Sequence, residues 1–271
     1  MQDITIGCDP ELFLRNPNNG RIVSAHNKGK GTKSDPFPVE GGAIQVDGTA
    51  LEINIRPASS MVEFTQRIES VTKALLEMNP GYELAAVPVA EFAQAYFDKL
   101  PMRAKELGCE PDFDAWTGEV NSPPDMMLPM RTGAGHIHVG WTEGKDPHEP
   151  QHYLDCCVVA KQLDYYLGVN SLLWDPDDRR RSMYGKAGCF RPKPYGVEYR
   201  VLSNAWLRSL ELQRWVYIAS RKAMKDFMDG KVAANKWGDL AQDLINNNCR
   251  DWEDWSGDLE TIVLPRSMRV A

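Results

Sequence analysis

The chain has 271 residues, 42% hydrophobic and 25% charged, with a mean hydropathy of −0.44. That composition can bury a core and excludes disordered and fibrous classes. The balance of 31 Lys and Arg against 38 Asp and Glu, a formal net charge of −7, lacks the basic footprint of a nucleic-acid binder.

No apolar run reaches the roughly 18–20 residues of a membrane span. The start, Met1-Gln2-Asp3-Ile4-Thr5, has neither a basic nor an apolar leader region, so a cytoplasmic protein is expected. In chain order, residues 4–14 read as a strand, followed by a Gly- and Pro-rich stretch over 16–42. Within it, Lys28, Gly29, Lys30, Gly31, Thr32 and Lys33 lack the spacing of a phosphate loop; they could cover a nucleotide or form an ordinary turn. Residues 43–47 and 51–56 read as strands, with Gly48 making a turn or bulge between them. Ser60-Met61-Val62-Glu63 reads as a capping box that opens a helix with Met61, Phe64, Ile68, Val71, Leu75 and Met78 on one face. Residues 135–139 and 197–202 are further strands. Helices are expected over 151–167, 207–228 and 237–245.

Strands and helices do not alternate strictly, so a doubly wound parallel sheet is not expected. The predicted class is α+β: one domain over 1–271, with a mostly antiparallel sheet and helices packed on one face. The six cysteines, Cys8, Cys109, Cys156, Cys157, Cys189 and Cys249, include no C-x-x-C pair. They read as free, mostly buried thiols. His26, His148 and His152 read as surface or packing residues.

Residues two apart in a strand share a face. Asp9 and Glu11 therefore oppose Cys8, Leu12 and Leu14, while Glu52, Asn54 and Arg56 oppose Leu51, Ile53 and Ile55. Gln45 and Asp47 share a face, His136 and His138 oppose Ile137 and Val139, and Glu198 pairs with Arg200. If these segments share a sheet, its polar face gathers Asp9, Glu11, Asp47, Glu52 and Glu198 with two histidines and an arginine. Five crowded carboxylates raise one another's pKa. Divalent cations would relieve this, and oxygen ligands favour Mg2+ or Mn2+ over zinc. The plainer alternative is a solvated amphipathic sheet.

Arg179, Arg180, Arg181, Lys186, Arg191 and Lys193 fall in one Gly- and Pro-rich stretch before the Glu198 strand. Guanidinium forks there suit phosphate or carboxylate oxygens. The same charges could equally balance Asp175, Asp177 and Asp178 on a solvated loop.

Gly7-Cys8-Asp9-Pro10-Glu11-Leu12-Phe13 resembles the G-x-E-P-E-F strand of glutamine synthetase-like carboxylate–amine ligases. Gly135-His136-Ile137-His138-Val139-Gly140 resembles the G-x-H-x-H-V-G element of glutamate–cysteine ligases, and Gly196-Val197-Glu198-Tyr199-Arg200-Val201 their E-x-R strand. Together with residues 45–52 and 108–112, they make the chain most similar to the phage COOH–NH2 ligase (amidoligase) group, over about residues 7–206. The resemblance implies an ATP-dependent ligase on a glutamine synthetase-type catalytic domain with a curved antiparallel sheet.

By motif, it implies Mg2+ ligands at Asp9, Glu11, Glu52 and Glu198, with Asp47 and His136 as further metal candidates. His136 and His138, with Lys186 and Arg191, would contact metal or nucleotide. Arg200 would face the transferring phosphate beside Glu198, Arg180 and Arg181. Asp9 stands where the wider superfamily often has Glu, which shortens its reach. The glutamine synthetase N-terminal domain is missing, leaving a homo-oligomer open.

The expected function is ATP- and Mg2+-dependent amide formation through an acyl phosphate, with small-molecule or peptide carboxylate and amine substrates. A phage-encoded enzyme would work in the host cytoplasm. The rivals are a metal-dependent hydrolase or transferase working without ATP, and a non-catalytic phage binding or structural module.

Overall fold

The computed structural model describes residues 3–105, 112–122, 128–250 and 265–269. Gly108 to Pro111, singled out in the sequence, lie outside them, as do Trp252 and Trp255 near the C-terminus. The elements run β1 (Thr5–Cys8), β2 (Glu11–Arg15), β3 (Ile22–Val23), β4 (Phe37–Val39), β5 (Gly42–Asp47) and β6 (Ala50–Ile55). Then come α1 (Met61–Met78), β7 (Glu83–Ala85), β8 (Val89–Glu91), α2 (Gln94–Phe97), α3 (Met102–Lys105), β9 (Phe113–Asp114), β10 (Met130–Thr132) and β11 (Ile137–Gly140). The last part holds α4 (Pro150–Leu163), α5 (Val169–Ser171), α6 (Arg179–Met183), β12 (Cys189–Lys193), β13 (Gly196–Tyr199), α7 (Leu210–Met228), α8 (Ala233–Trp237) and α9 (Leu240–Asn246).

The class is α+β and the described ladders are antiparallel, as expected. The curved surface is built from two sheets rather than one. A five-stranded sheet runs β1-β11-β13-β12-β9, and a second runs β3-β2-β6-β5-β4 with β7 also on β2. The strand expected over 4–14 breaks at Asp9-Pro10: β1 pairs with β11, whereas β2 pairs with β6. Proline has no N–H to continue a ladder, so the chain changes sheets there. Bonds from Ile53 N to the Pro10 carbonyl (3.1 Å) and Glu11 N to the Ala134 carbonyl (2.9 Å) stitch the sheets across the bend.

The parity sets behave as read. Cys8, Leu12, Leu14, Leu51, Ile53, Ile55, Ile137 and Val139 are buried in the main core. Opposite them in this core lie Phe64, Ile68, Val71 and Leu75 of α1, Val159 and Leu163 of α4, and Val216 and Met224 of α7. Phe64 stacks on Trp206 with ring centroids 6.0 Å apart. On β2 the polar face ends at Glu11, because Phe13 enters a second core with Phe92 and Phe97.

Ser60 caps α1 by accepting from Glu63 N, and the Glu63 carboxylate accepts from Ser59 N, one residue before the position the sequence pattern suggests. The helix expected over 151–167 is regular only to Leu163. A π turn then spans Asp164–Gly168. The extra residue places the Asp164 carboxylate to accept from Tyr199 Oη (2.7 Å) and Trp116 Nε1 (2.6 Å). The helix expected over 207–228 starts at Leu210, where Ser209 accepts from Leu212 N. The one expected over 237–245 is two short helices, because Gly238 adopts a left-handed φ of 63° between them.

Residues 189–193 form strand β12 rather than loop, and 179–183 form α6. Among the described residues the cysteines are free thiols, four buried and Cys249 half-buried. No described helix is long and apolar enough to cross a membrane.

Candidate active site

A cavity of about 400 Å3 opens over the polar face shared by the two sheets. The bend at Asp9-Pro10 brings Asp9 and Glu11 into it. The β5–β6 hairpin adds Gln45, Asp47, Glu52 and Asn54, and β11 with its preceding residue adds His138 and His136. Arg191, Lys193, Tyr195, Glu198 and Arg200 close the opposite wall.

Strand register explains these neighbours. Gly48, at φ 55°, turns the hairpin so that Gln45 pairs with Glu52 and Asp47 with Ala50. Glu52 in turn faces Glu11, while His138 faces Gly7 on one side and Glu198 on the other.

Two groups of potential ligand atoms result, each with its atoms within 4.8 Å of one another: Asp9, His138 and Glu198, and Glu11, Asp47 and Glu52. In the first, Asp9 Oδ1 and His138 Nε2 are 3.0 Å apart. His136 Nδ1 lies 3.4 Å from the same Asp9 oxygen, so Asp9 is held in ion-pair contact with both rings. An imidazole nitrogen and two carboxylates converging within 4.8 Å fit a shared cation, which would take the place of the proton between Asp9 and His138. The all-carboxylate second group offers hard oxygen donors of the kind Mg2+ and Mn2+ prefer.

The electrostatics separate the two groups. Burial, and then Asp47, push the Glu11 carboxyl up to about 8, although it accepts from Ala134 N. Burial, joined by the neighbouring carboxylates, lifts Glu52 well above the usual range. Burial also raises Asp9, but His138 and His136 outweigh it and hold that carboxyl well below its ordinary value. Burial lowers His138, but Asp9 and Glu198 outweigh it and raise the ring overall. Burial and Arg200 push His136 down to about 4, so it is neutral near pH 7.

Glu198, 1% exposed, is ringed by cations: Arg200, Lys193 Nζ at 2.7 Å, and Arg191 Nη1 at 3.3 Å. Arg200 is itself anchored. Its Nε donates to Asp112 Oδ2 at 2.9 Å, and Asn121 Nδ2 donates to Asp112 Oδ1 at 2.9 Å.

Of the residues singled out in the sequence, Asp9, Glu11, Asp47, Glu52, His136, His138, Arg191, Glu198 and Arg200 meet in this cavity. Arg180, Arg181 and Lys186 do not line it. Arg180 is buried behind the wall and donates to the carbonyls of Val201 (2.5 Å) and Arg200 (3.1 Å). Arg181 is held by the carbonyls of Asp175 (2.5 Å) and Asp177 (2.9 Å). Lys186 is exposed. Arg179 pairs with Asp177 and Glu91 at the surface.

Sequence reasoning missed Tyr184, Tyr195 and the place of Lys193. The signal for Lys193 was its two-residue spacing from Arg191, concealed by reading the segment as loop. Lys33, at the end of the basic turn, also lines the cavity, while Lys28 and Lys30 sit over the rings of Tyr82 and Phe37.

No curated protein matches the chain. Among solved structures it is similar to one described as "Crystal structure of novel glutamine synthase homolog", at 12% identity and a TM-score of 0.37. The overlap covers 82% of this chain and 55% of that one, so the chain spans about half of that structure's length. Residues 129–230 match the family described as "Phage phiEco32-like COOH.NH2 ligase-type 2". His136, His138, Arg191, Glu198 and Arg200 fall within the match, and Asp9, Glu11, Asp47 and Glu52 precede it. Over those residues the chain is similar to the phage COOH–NH2 ligases, the group its sequence motifs resemble.

Proposed function

We propose that this chain, as a single catalytic unit, is an ATP- and Mg2+-dependent carboxylate–amine ligase that forms an amide through an acyl phosphate. The observation that supports this reading is the meeting of two carboxylate-rich groups of potential cation ligands and a wall of Arg191, Lys193 and Arg200 in one cavity. Asp9, His138 and Glu198 would hold one divalent cation, and Glu11, Asp47 and Glu52 a second, with Mn2+ able to replace Mg2+. Bound there, such cations supply charge neutralisation for phosphate oxygens.

The chain's own residues do the rest. Arg191 and Lys193 neutralise the polyphosphate from the cavity wall. Arg200, tied to Asp112, holds Glu198 in place and presents its remaining N–H groups to the transferring phosphoryl group. A substrate carboxylate oxygen attacks the γ-phosphorus, and the bond to the β-phosphate oxygen breaks, giving acyl phosphate and ADP. The amine nitrogen then attacks the acyl carbon, expelling phosphate and losing a proton. Arg180 and Arg181 support the wall from behind. Substrates are small-molecule or peptide carboxylates and amines. The enzyme works in the cytoplasm, that of the host if phage-borne.

The test supplies the purified chain with Mg2+, ATP and pools of amino acids and peptides, following ADP and amide products by mass spectrometry. ADP release coupled to a condensed product is expected. Absence of both ATP binding and ADP release would overturn the reading, and product formed with Mg2+ alone would point to the hydrolase or transferase instead.

A further inference from the structure

Tyr195 has no role in the scheme above, yet the chain fixes it from several sides. Pro194 and Tyr195 form the turn between β12 and β13, whose last register pair is Lys193 with Gly196. Gly196 has a φ of 148°, and a Cβ there would lie 2.2 Å from the Val139 carbonyl oxygen and 2.7 Å from the Trp141 ring. Only glycine lets β11 and Trp141 close on the turn in this way. The Tyr195 carbonyl accepts from both Trp141 N (3.0 Å) and Thr142 N (3.1 Å), and Lys145 N donates to the Pro194 carbonyl (3.0 Å). On this pinned backbone the Tyr195 ring stacks on His138, centroids 5.9 Å apart at 30°, and its hydroxyl hydrogen-bonds His138 Nδ1. The other ring nitrogen, Nε2, faces Asp9 Oδ1 at 3.0 Å and belongs to the first ligand group.

A neutral imidazole that offers Nε2 to a cation carries its proton on Nδ1. That Nδ1–H needs an acceptor, and the Tyr195 hydroxyl, in hydrogen-bond contact with Nδ1, can accept it through its oxygen. We infer that Tyr195 is a positioning residue: it holds His138 in the Nδ1–H tautomer with its ring plane set, so that Nε2, Asp9 and Glu198 receive a divalent cation together. The inference rests on reading this trio as a cation site. Outer partners of metal-bound histidines typically contribute 10–100-fold in affinity.

The test is Tyr195→Phe in the full chain, which keeps the stacked ring and removes only the hydroxyl. Mn2+ binding is read by electron paramagnetic resonance, alongside metal-free thermal stability. Affinity about 10- to 100-fold weaker, with metal-free melting near wild type, is expected. Affinity within twofold of a Mn2+-binding wild type would overturn the inference and leave the ligase reading standing. Failure of the wild type to bind Mn2+ would overturn both. If the variant does not fold, 15N NMR of the Mg2+-loaded wild type decides: a protonated Nδ1 on His138 supports the inference, and a protonated Nε2 sinks it.

Discussion

Glu11 and Glu52 face each other across the β2–β6 ladder, two half-buried carboxylates in direct cross-strand register. Like charges so placed oppose pairing, and burial adds a desolvation cost that drives such groups to hold protons or share a cation. Glu11→Gln keeps an amide oxygen that can accept from Ala134 N and removes a group that must take up a proton, or a cation, to be buried in the folded chain near neutral pH. The variant should be at least as stable as wild type without metal, by about 0.5–1 kcal/mol near neutral pH. It should also lose most of the stabilisation that Mg2+ gives. Thermal unfolding with and without Mg2+ checks this; an unchanged Mg2+ shift would contradict the assignment of Glu11.

A cation entering the second group must displace the proton that Glu11 holds up to about pH 8. The sign follows: below that pH the proton competes with metal, and above it the carboxylate is already free. Divalent-cation affinity should therefore rise between about pH 6 and pH 8, by up to tenfold per unit for each proton released. Calorimetry in buffers of differing ionisation heat should register that release. Affinity flat across this range would count against the site.

Behind the sheet, burial pushes the Asp164 carboxyl from its ordinary 3.8 to about 7 despite the hydrogen bonds from Tyr199 and Trp116. A raised carboxyl pKa means that the folded chain binds the proton more tightly. Its contribution to stability is complete below about pH 4 and is lost as pH rises to about 7. Asp164→Asn cannot titrate, so its stability relative to wild type should improve by at most about 3 kcal/mol between about pH 5 and pH 8. Urea unfolding at the two pH values measures the difference; a constant gap would show that Asp164 titrates normally.

The two kinds of arginine should separate cleanly. Arg181 is buried and spent on the carbonyls of Asp175 and Asp177. Arg181→Ala should therefore cost about 2–3 kcal/mol of stability by orphaning those acceptors, while KM for ATP in the folded protein stays within about twofold. Arg191, on the cavity wall 3.3 Å from Glu198, should behave oppositely. Arg191→Ala should melt near wild type and raise KM for ATP about tenfold or more, a loss of roughly 1.4 kcal/mol. Steady-state kinetics beside melting curves discriminates them.

Much of this site was legible one strand at a time. Asp9 with Glu11, Glu52 with Asn54, His136 with His138 and Glu198 with Arg200 follow from the two-residue period of an extended backbone. The same period joins Arg191 and Lys193, which line the cavity, and separates them from Arg180, Arg181 and Lys186 of the same basic stretch, which do not. Flanking prolines and glycines made their strand look like a loop. The π turn at Asp164 was invisible for another reason, since its extra residue answers Tyr199 and Trp116, distant in the chain.

Local alternation of charge and hydrophobicity is thus a property each segment carries alone, and it is enough to name most of the polar face. Which carboxylates become neighbours is a property of register between distant strands. Glu11 meets Glu52, and His138 meets Gly7 and Glu198, because the apolar sides of those strands are buried together beneath α1, α4 and α7. That burial is a summed, long-range energy. It also carries Arg180 and Arg181 behind the cavity wall and sets the Tyr195 hydroxyl against His138, outcomes that no single segment encodes.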